Sequence, residues 1–76
     1  MLQQNKPAAA AQIYEQLAAQ NSPPQGPDFA LRAARAWLTA GQPDEASRAL
    51  GLAGETLTAA QRFERSLLQI QVQGAR

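Results

Sequence analysis

Apolar positions along this chain recur at spacings of three and four, the signature of helices with one buried face. Four such runs can be drawn. The first spans Pro7 to Gln20 and aligns Ala10, Ile13, Tyr14 and Leu17 in one stripe. Asn5 is placed to cap it, and Pro7 suits a first turn, where the N–H that proline lacks has no helical partner. NSPPQGP at 21–27 ends the run and predicts a longer, proline-stiffened loop. The second run, about Asp28 to Ala40, carries Ala30, Ala33, Ala34, Trp37 and Leu38, with Asp28 at the positive end of the helix dipole and Gly41 as its stop. The third, Pro43 to Leu52, turns Ala46, Ala49, Leu50 and Ala53 inward and is closed by Gly51 and Gly54. The fourth begins at Thr58. Thr58-Ala59-Ala60-Gln61 has the form of a capping box, Phe63, Leu67 and Ile70 share a face, and Gly74 frays the end. β-Branched residues are few: Ile13, Thr39, Thr56, Thr58, Ile70 and Val72. An all-α fold follows, with short second and third loops that force antiparallel neighbours.

The chain also repeats itself. GQPDEASRALGLA at 41–53 restates NKPAAAAQIYEQLA at 5–18, with Pro43 lying 36 positions after Pro7, Ala46 in step with Ala10, and Leu50 with Tyr14. Two antiparallel helices in a period near 34 residues resemble a tetratricopeptide (TPR) array. Ala34, Trp37, Gly41, Ala46 and Leu50 follow that order: a small residue at a helix contact, an aromatic late in helix A, a turn glycine, then alanine and a bulky residue in helix B. The expected architecture is a short right-handed solenoid segment of TPR-like hairpins in the order B, A, B, A. The two extra residues of the period fall in the proline loop, which absorbs them cheaply. Since the first repeat shows only helix B and the last only helix A, the reading expects a single domain over 1–76 that is a piece of a longer protein. A small unit that caps itself or dimerises is the alternative.

Composition narrows the function. The chain has no cysteine and no histidine, which excludes disulfides, Cys/His zinc sites, thiol nucleophiles and His-based triads. Seven basic residues against six acidic give a net charge of +1, too little for strong non-specific attraction to nucleic acid. No apolar run reaches the roughly 20 residues that span a bilayer. GLAG at 51–54 lacks the Lys and Ser/Thr of a phosphate loop. Asp44 and Glu45 read as dipole-compensating acids of a first turn, with an acid/base pair as the minor reading. No catalytic residue, cofactor or metal is expected.

The segment LTAAQRFERSLLQIQV at 57–72, following FALRAARAWLTAGQPDEASRALGLA at 29–53, resembles the N-terminal helical domain of LpoA-type activator lipoproteins of penicillin-binding proteins. Leu57, Ala60, Gln61, Arg62, Glu64, Leu67 and Leu68 match a helix motif of that family, and Leu31, Arg35, Ala36 and Gly41 are similar in kind and spacing. The resemblance implies a periplasmic protein held by a lipidated cysteine on the inner leaflet of the outer membrane. It implies a larger C-terminal domain like periplasmic binding proteins, and stimulation of a bifunctional penicillin-binding protein mainly through that domain. Neither the lipidated cysteine nor that domain is in this sequence. The rival is a cytoplasmic TPR adaptor that grips a partner's peptide tail.

Helix A of a TPR array lines its concave groove. Counting from Ala34 and Trp37 as packing positions turns Arg35 and Leu38 to that groove, with Leu31 beside them and Arg32 near its edge. If Phe63 and Leu67 pack likewise, Arg65 and Leu68 form the next strip. Arginine suits carboxylates through paired N–H donors. The bland reading is a solvated face in which Arg32 or Arg62 pairs with nearby acids. Trp37 and Tyr14 are read as core fillers rather than ligand-stacking rings, and Thr58 as a cap rather than a phosphorylation site.

Overall fold

The computed structural model describes residues 6–75, and Asn5 lies outside them. Four helices follow one another: α1 (Pro7–Gln20), α2 (Gln25–Thr39), α3 (Pro43–Leu52) and α4 (Ala59–Ala75). No strand occurs among the described residues. They form a slab of 37 × 28 × 17 Å, about two helices thick. α2 touches all three other helices, whereas α1 and α4 share no contact among the described residues.

Alanine makes this packing possible. Ala11, Ala30, Ala33, Ala34, Ala46 and Ala49 are wholly enclosed, so the helix backbones approach closely. Alanine buries little apolar area itself. The larger contributions come from Leu31, Trp37, Leu50, Leu68 and Val72, at roughly 1.5–3 kcal/mol for each fully buried aliphatic side chain.

The turns are built by backbone geometry. After α2, Gly41 adopts φ +78°. Its N–H donates to the Leu38 carbonyl at 3.0 Å, and the Gln42 N–H donates to the Trp37 carbonyl at 2.9 Å. That pair of bonds is a Schellman cap, which wants glycine at the left-handed position. Before α2 the chain passes a cis Pro23–Pro24 bond.

The helix begins three residues earlier than its sequence pattern suggests. The Ser22 carbonyl accepts from the N–H groups of both Gln25 and Gly26 at 3.1 Å. Pro27 then sits in the first turn, where no intrahelical donor is needed, so it opens the helix instead of blocking it. The first linker is therefore residues 21–24, and the longest is 53–58, between α3 and α4. Gly26 is required there by space: a Cβ would lie 2.3 Å from the Asn21 carbonyl oxygen.

Two helix faces differ from the expected ones. In α1 the buried residue is Ala11, with Ala8, Tyr14 and Ala18 packed around the core, and Ile13 is 57% exposed. In α4 the face is reversed. Phe63, Leu67 and Ile70 are exposed, while Gln61, Leu68 and Val72 are buried. Gln61 sets that orientation. Its Oε1 accepts from the Thr58 N–H at 3.0 Å, and its own N–H donates to Thr58 Oγ1 at 3.1 Å. Its Nε2 then donates to the Pro24 carbonyl at 2.7 Å. The capping box thus doubles as a latch, turning positions 61, 65, 68 and 72 toward α2 and α3. Gly74 lies inside α4, which continues to Ala75.

Candidate functional site

The arginines singled out from sequence do not share one groove. Arg32 and Arg35 lie together on the exposed side of α2. With Tyr14, Ala10, Ala36 and Thr39 they line a hollow of about 470 Å³ against α1. Arg65 lies elsewhere, in a hollow of about 520 Å³ between α3 and α4, beside Ser47, Glu55 and Gln69. Its Nη1 donates to the Gly54 carbonyl at 3.3 Å, and its enclosed Nε has no partner.

The expected leucines are corrected more sharply. Leu31 is 1% exposed and Leu68 3%, so neither lines a surface. Leu38 is half-buried and packed against the core. Leu31 fails because it belongs to the core, on the helix that touches all three others. Leu68 fails because the Gln61 latch rotates it inward.

Both remaining groove arginines have carboxylate partners. Arg32 Nε donates to Asp28 Oδ2 at 3.1 Å, one turn earlier in α2. Arg35 donates through Nη2 to Glu64 Oε2 of α4. The solvent-exposed face thus carries alternating charge, and exposed pairs of this kind contribute about 0–1 kcal/mol. They hold the guanidinium groups in place, yet release them cheaply to a competing carboxylate. Arg62 has no side-chain partner among the described residues.

A second polar cluster sits on the other side of α2. The indole Nε1 of Trp37 donates to Glu15 Oε2 at 2.6 Å. Arg48 Nη2 donates to both oxygens of Glu15, at 3.1 and 3.0 Å, and to Glu45 Oε1 at 2.7 Å. Glu45, and then Glu15, hold the Arg48 guanidinium above its ordinary value. One chain of bonds therefore ties α1, α2 and α3 together. Its role is structural, since the buried indole needs an acceptor and Glu15 is the one acid in α1. Glu15 is a polar position outside the apolar stripes, so apolar spacing does not single it out. The signal available was that lone acid beside Tyr14.

Tyr14 is half-buried and stacks on Phe29, with centroids 6.3 Å apart. Its ring is both core filler and wall of the Arg32–Arg35 hollow. Among the described residues there is no cluster of His, Cys, Asp or Glu able to hold a metal ion, and no helix is long and apolar enough to cross a membrane.

A family model described as "Tetratricopeptide repeat" matches residues 1–65. No curated protein and no solved structure matches the chain.

Proposed function

Because the chain belongs to the tetratricopeptide repeat family, we propose that it is a non-catalytic scaffold offering the Arg32–Arg35 hollow to carboxylates of a protein partner. The observation that carries this is the pairing of two exposed guanidinium groups with a concave wall of Tyr14, Ala36 and Thr39. A planar guanidinium takes a carboxylate through two parallel bonds, and the apolar wall would seat the adjoining side chain. The present partners, Asp28 and Glu64, are the carboxylates a ligand would displace.

The finer role we propose is that of the N-terminal helical domain of an LpoA-type regulator of peptidoglycan synthesis. On that reading the chain works on the periplasmic side of the outer membrane, reaches the membrane only through a lipid anchor outside this sequence, and serves a bifunctional penicillin-binding protein. No bond is made or broken by it; a stiff helical arm positions partners. Support comes from the run of Leu57, Ala60, Gln61, Arg62, Glu64, Leu67 and Leu68, which agrees with that family's helix motif. The exposed arginines give a second reading its own support: an adaptor for an acidic peptide tail, independent of the cell wall.

One binding experiment separates them. The chain is immobilised and titrated with the periplasmic region of a bifunctional penicillin-binding protein, and separately with a short peptide ending in two aspartates. Saturable binding of the synthase supports the regulator. Binding of the peptide alone favours the adaptor, and binding of neither overturns both.

A further inference from the structure

The hollow of about 520 Å³ between α3 and α4 is separate from the Arg32–Arg35 hollow and has a chemistry of its own. Its walls carry one cation, Arg65, and one anion, Glu55. Opposite charges attract across so small a space, yet among the described residues neither of these forms an ion pair. Arg65 is half-buried. Its Nη1 reaches only the Gly54 carbonyl, at a long 3.3 Å, and its Nε is enclosed without an acceptor. An enclosed donor without a partner costs stability, so the side chain gains by turning its Nε–Nη2 edge to a carboxylate. Glu55 is exposed on the linker that follows α3. The carbonyl end of that helix adds negative potential beside it, a setting for an ammonium group.

Between the two charges the walls are neutral. Leu50 and Val72, both buried, form an apolar floor. Gln69 and Gln73 stand one turn apart on α4, and each side-chain amide offers a donor and an acceptor, the complement of a peptide group. The α3 end is open, since a Cβ at Gly51 or Gly54 meets nothing within 4 Å. The volume is that of a small-molecule site, not of a groove for an extended chain. We propose that this hollow binds a short apolar peptide, of dipeptide size, with both of its termini free. Arg65 takes the carboxylate and Glu55 the ammonium. Gln69 and Gln73 take the peptide group, and an apolar side chain rests over Leu50 and Val72.

Titration of the isotope-labelled chain with leucyl-leucine, followed by amide NMR shifts, tests this. Shifts at Gly51, Gly54, Glu55, Arg65 and Gln69 should saturate together, with half-saturation near ~1 mM for so open a site. Acetylation of the peptide removes the ammonium and amidation removes the carboxylate, and each should weaken binding about tenfold. Glu55→Gln should bind the free and the acetylated peptide alike, and Arg65→Gln the free and the amidated peptide alike. Both variants should keep the circular-dichroism spectrum of the parent. If Arg65→Gln does not, the exposed Glu55→Gln comparison decides alone. No saturation by about 10 mM overturns the proposal. So does equal affinity of the parent for the capped peptides, or free leucine binding as tightly as leucyl-leucine. Shifts centred on Arg32 and Arg35 overturn it as well.

Discussion

Burying Trp37 leaves an indole N–H that must find an acceptor away from water. Glu15 supplies it, and Arg48 in turn holds Glu15. The position of Trp37 in the core was legible from its place in the α2 stripe, but the acceptor was not, because Glu15 belongs to another helix and to its polar face. Removing the ring by Trp37→Ala costs roughly 3–5 kcal/mol, most of what a chain of this size has to spare. A circular-dichroism melt should show the domain largely unfolded near 25 °C. Glu15 gives a finer test. Glu15→Ala strands the indole donor and costs about 1–3 kcal/mol, whereas Glu15→Gln keeps an acceptor oxygen and costs less than half as much. Urea melts of the two variants check that ordering; equal losses would show that the charge of Glu15, not its acceptor, matters. Arg48 adds no pH dependence near neutrality. Its folded-state value is raised, so its contribution is fully present below the unfolded value and is lost only in strong alkali.

At the scale of the element, the four helices could be read from the sequence, α1 and α3 with both of their ends, as could the third-helix stripe and the Thr58 cap. The start of α2 and the facing of α4 could not. For α2, a proline-rich stretch reads as a break, yet proline within a first turn breaks nothing. The feature that admits the early start is Gly26, tucked against the Asn21 carbonyl. Gly26→Ala therefore forces the α1–α2 turn to shift and should cost about 1–3 kcal/mol, read as a drop in melting temperature. For α4, ranking faces by hydrophobic size chooses Phe63, Leu67 and Ile70. What decides is a polar side chain that satisfies the helix end and reaches across to Pro24. Thr58→Ala removes half of the capping box at a cost of about 1 kcal/mol. Gln61→Ala should cost more than Thr58→Ala, because it also leaves the Pro24 carbonyl without that donor. Should the two cost the same, the latch contributes nothing beyond the cap.

For the molecule as a whole, α2 is the element that everything else touches, and the repeat order read from Pro7, Ala10, Pro43 and Ala46 matches the way hairpins stack on it. The proposed partner surface was only half legible. Arginine spacing on α2 located Arg32 and Arg35, but the second strip fell into a different hollow once α4 was turned. The pair between Arg35 and Glu64 is the place where fold and binding can be separated, since it joins α2 to α4 on the exposed side. Arg35→Glu sets two carboxylates side by side there, but in solvent, so the loss of stability should stay within about 1 kcal/mol. Binding of an acidic peptide should fall about tenfold or more, since a donor has become a repelling charge. Adding Glu64→Arg restores the ion pair in reversed order. Stability should then return to that of the parent, while the positive charge has moved from the α1–α2 hollow to α4, so peptide affinity should stay low. Thermal melts and peptide titrations on the three chains check this together. Recovery of binding along with stability in the double variant would mean that the peptide senses only the net charge of the slab, and the hollow would lose its claim to be the site.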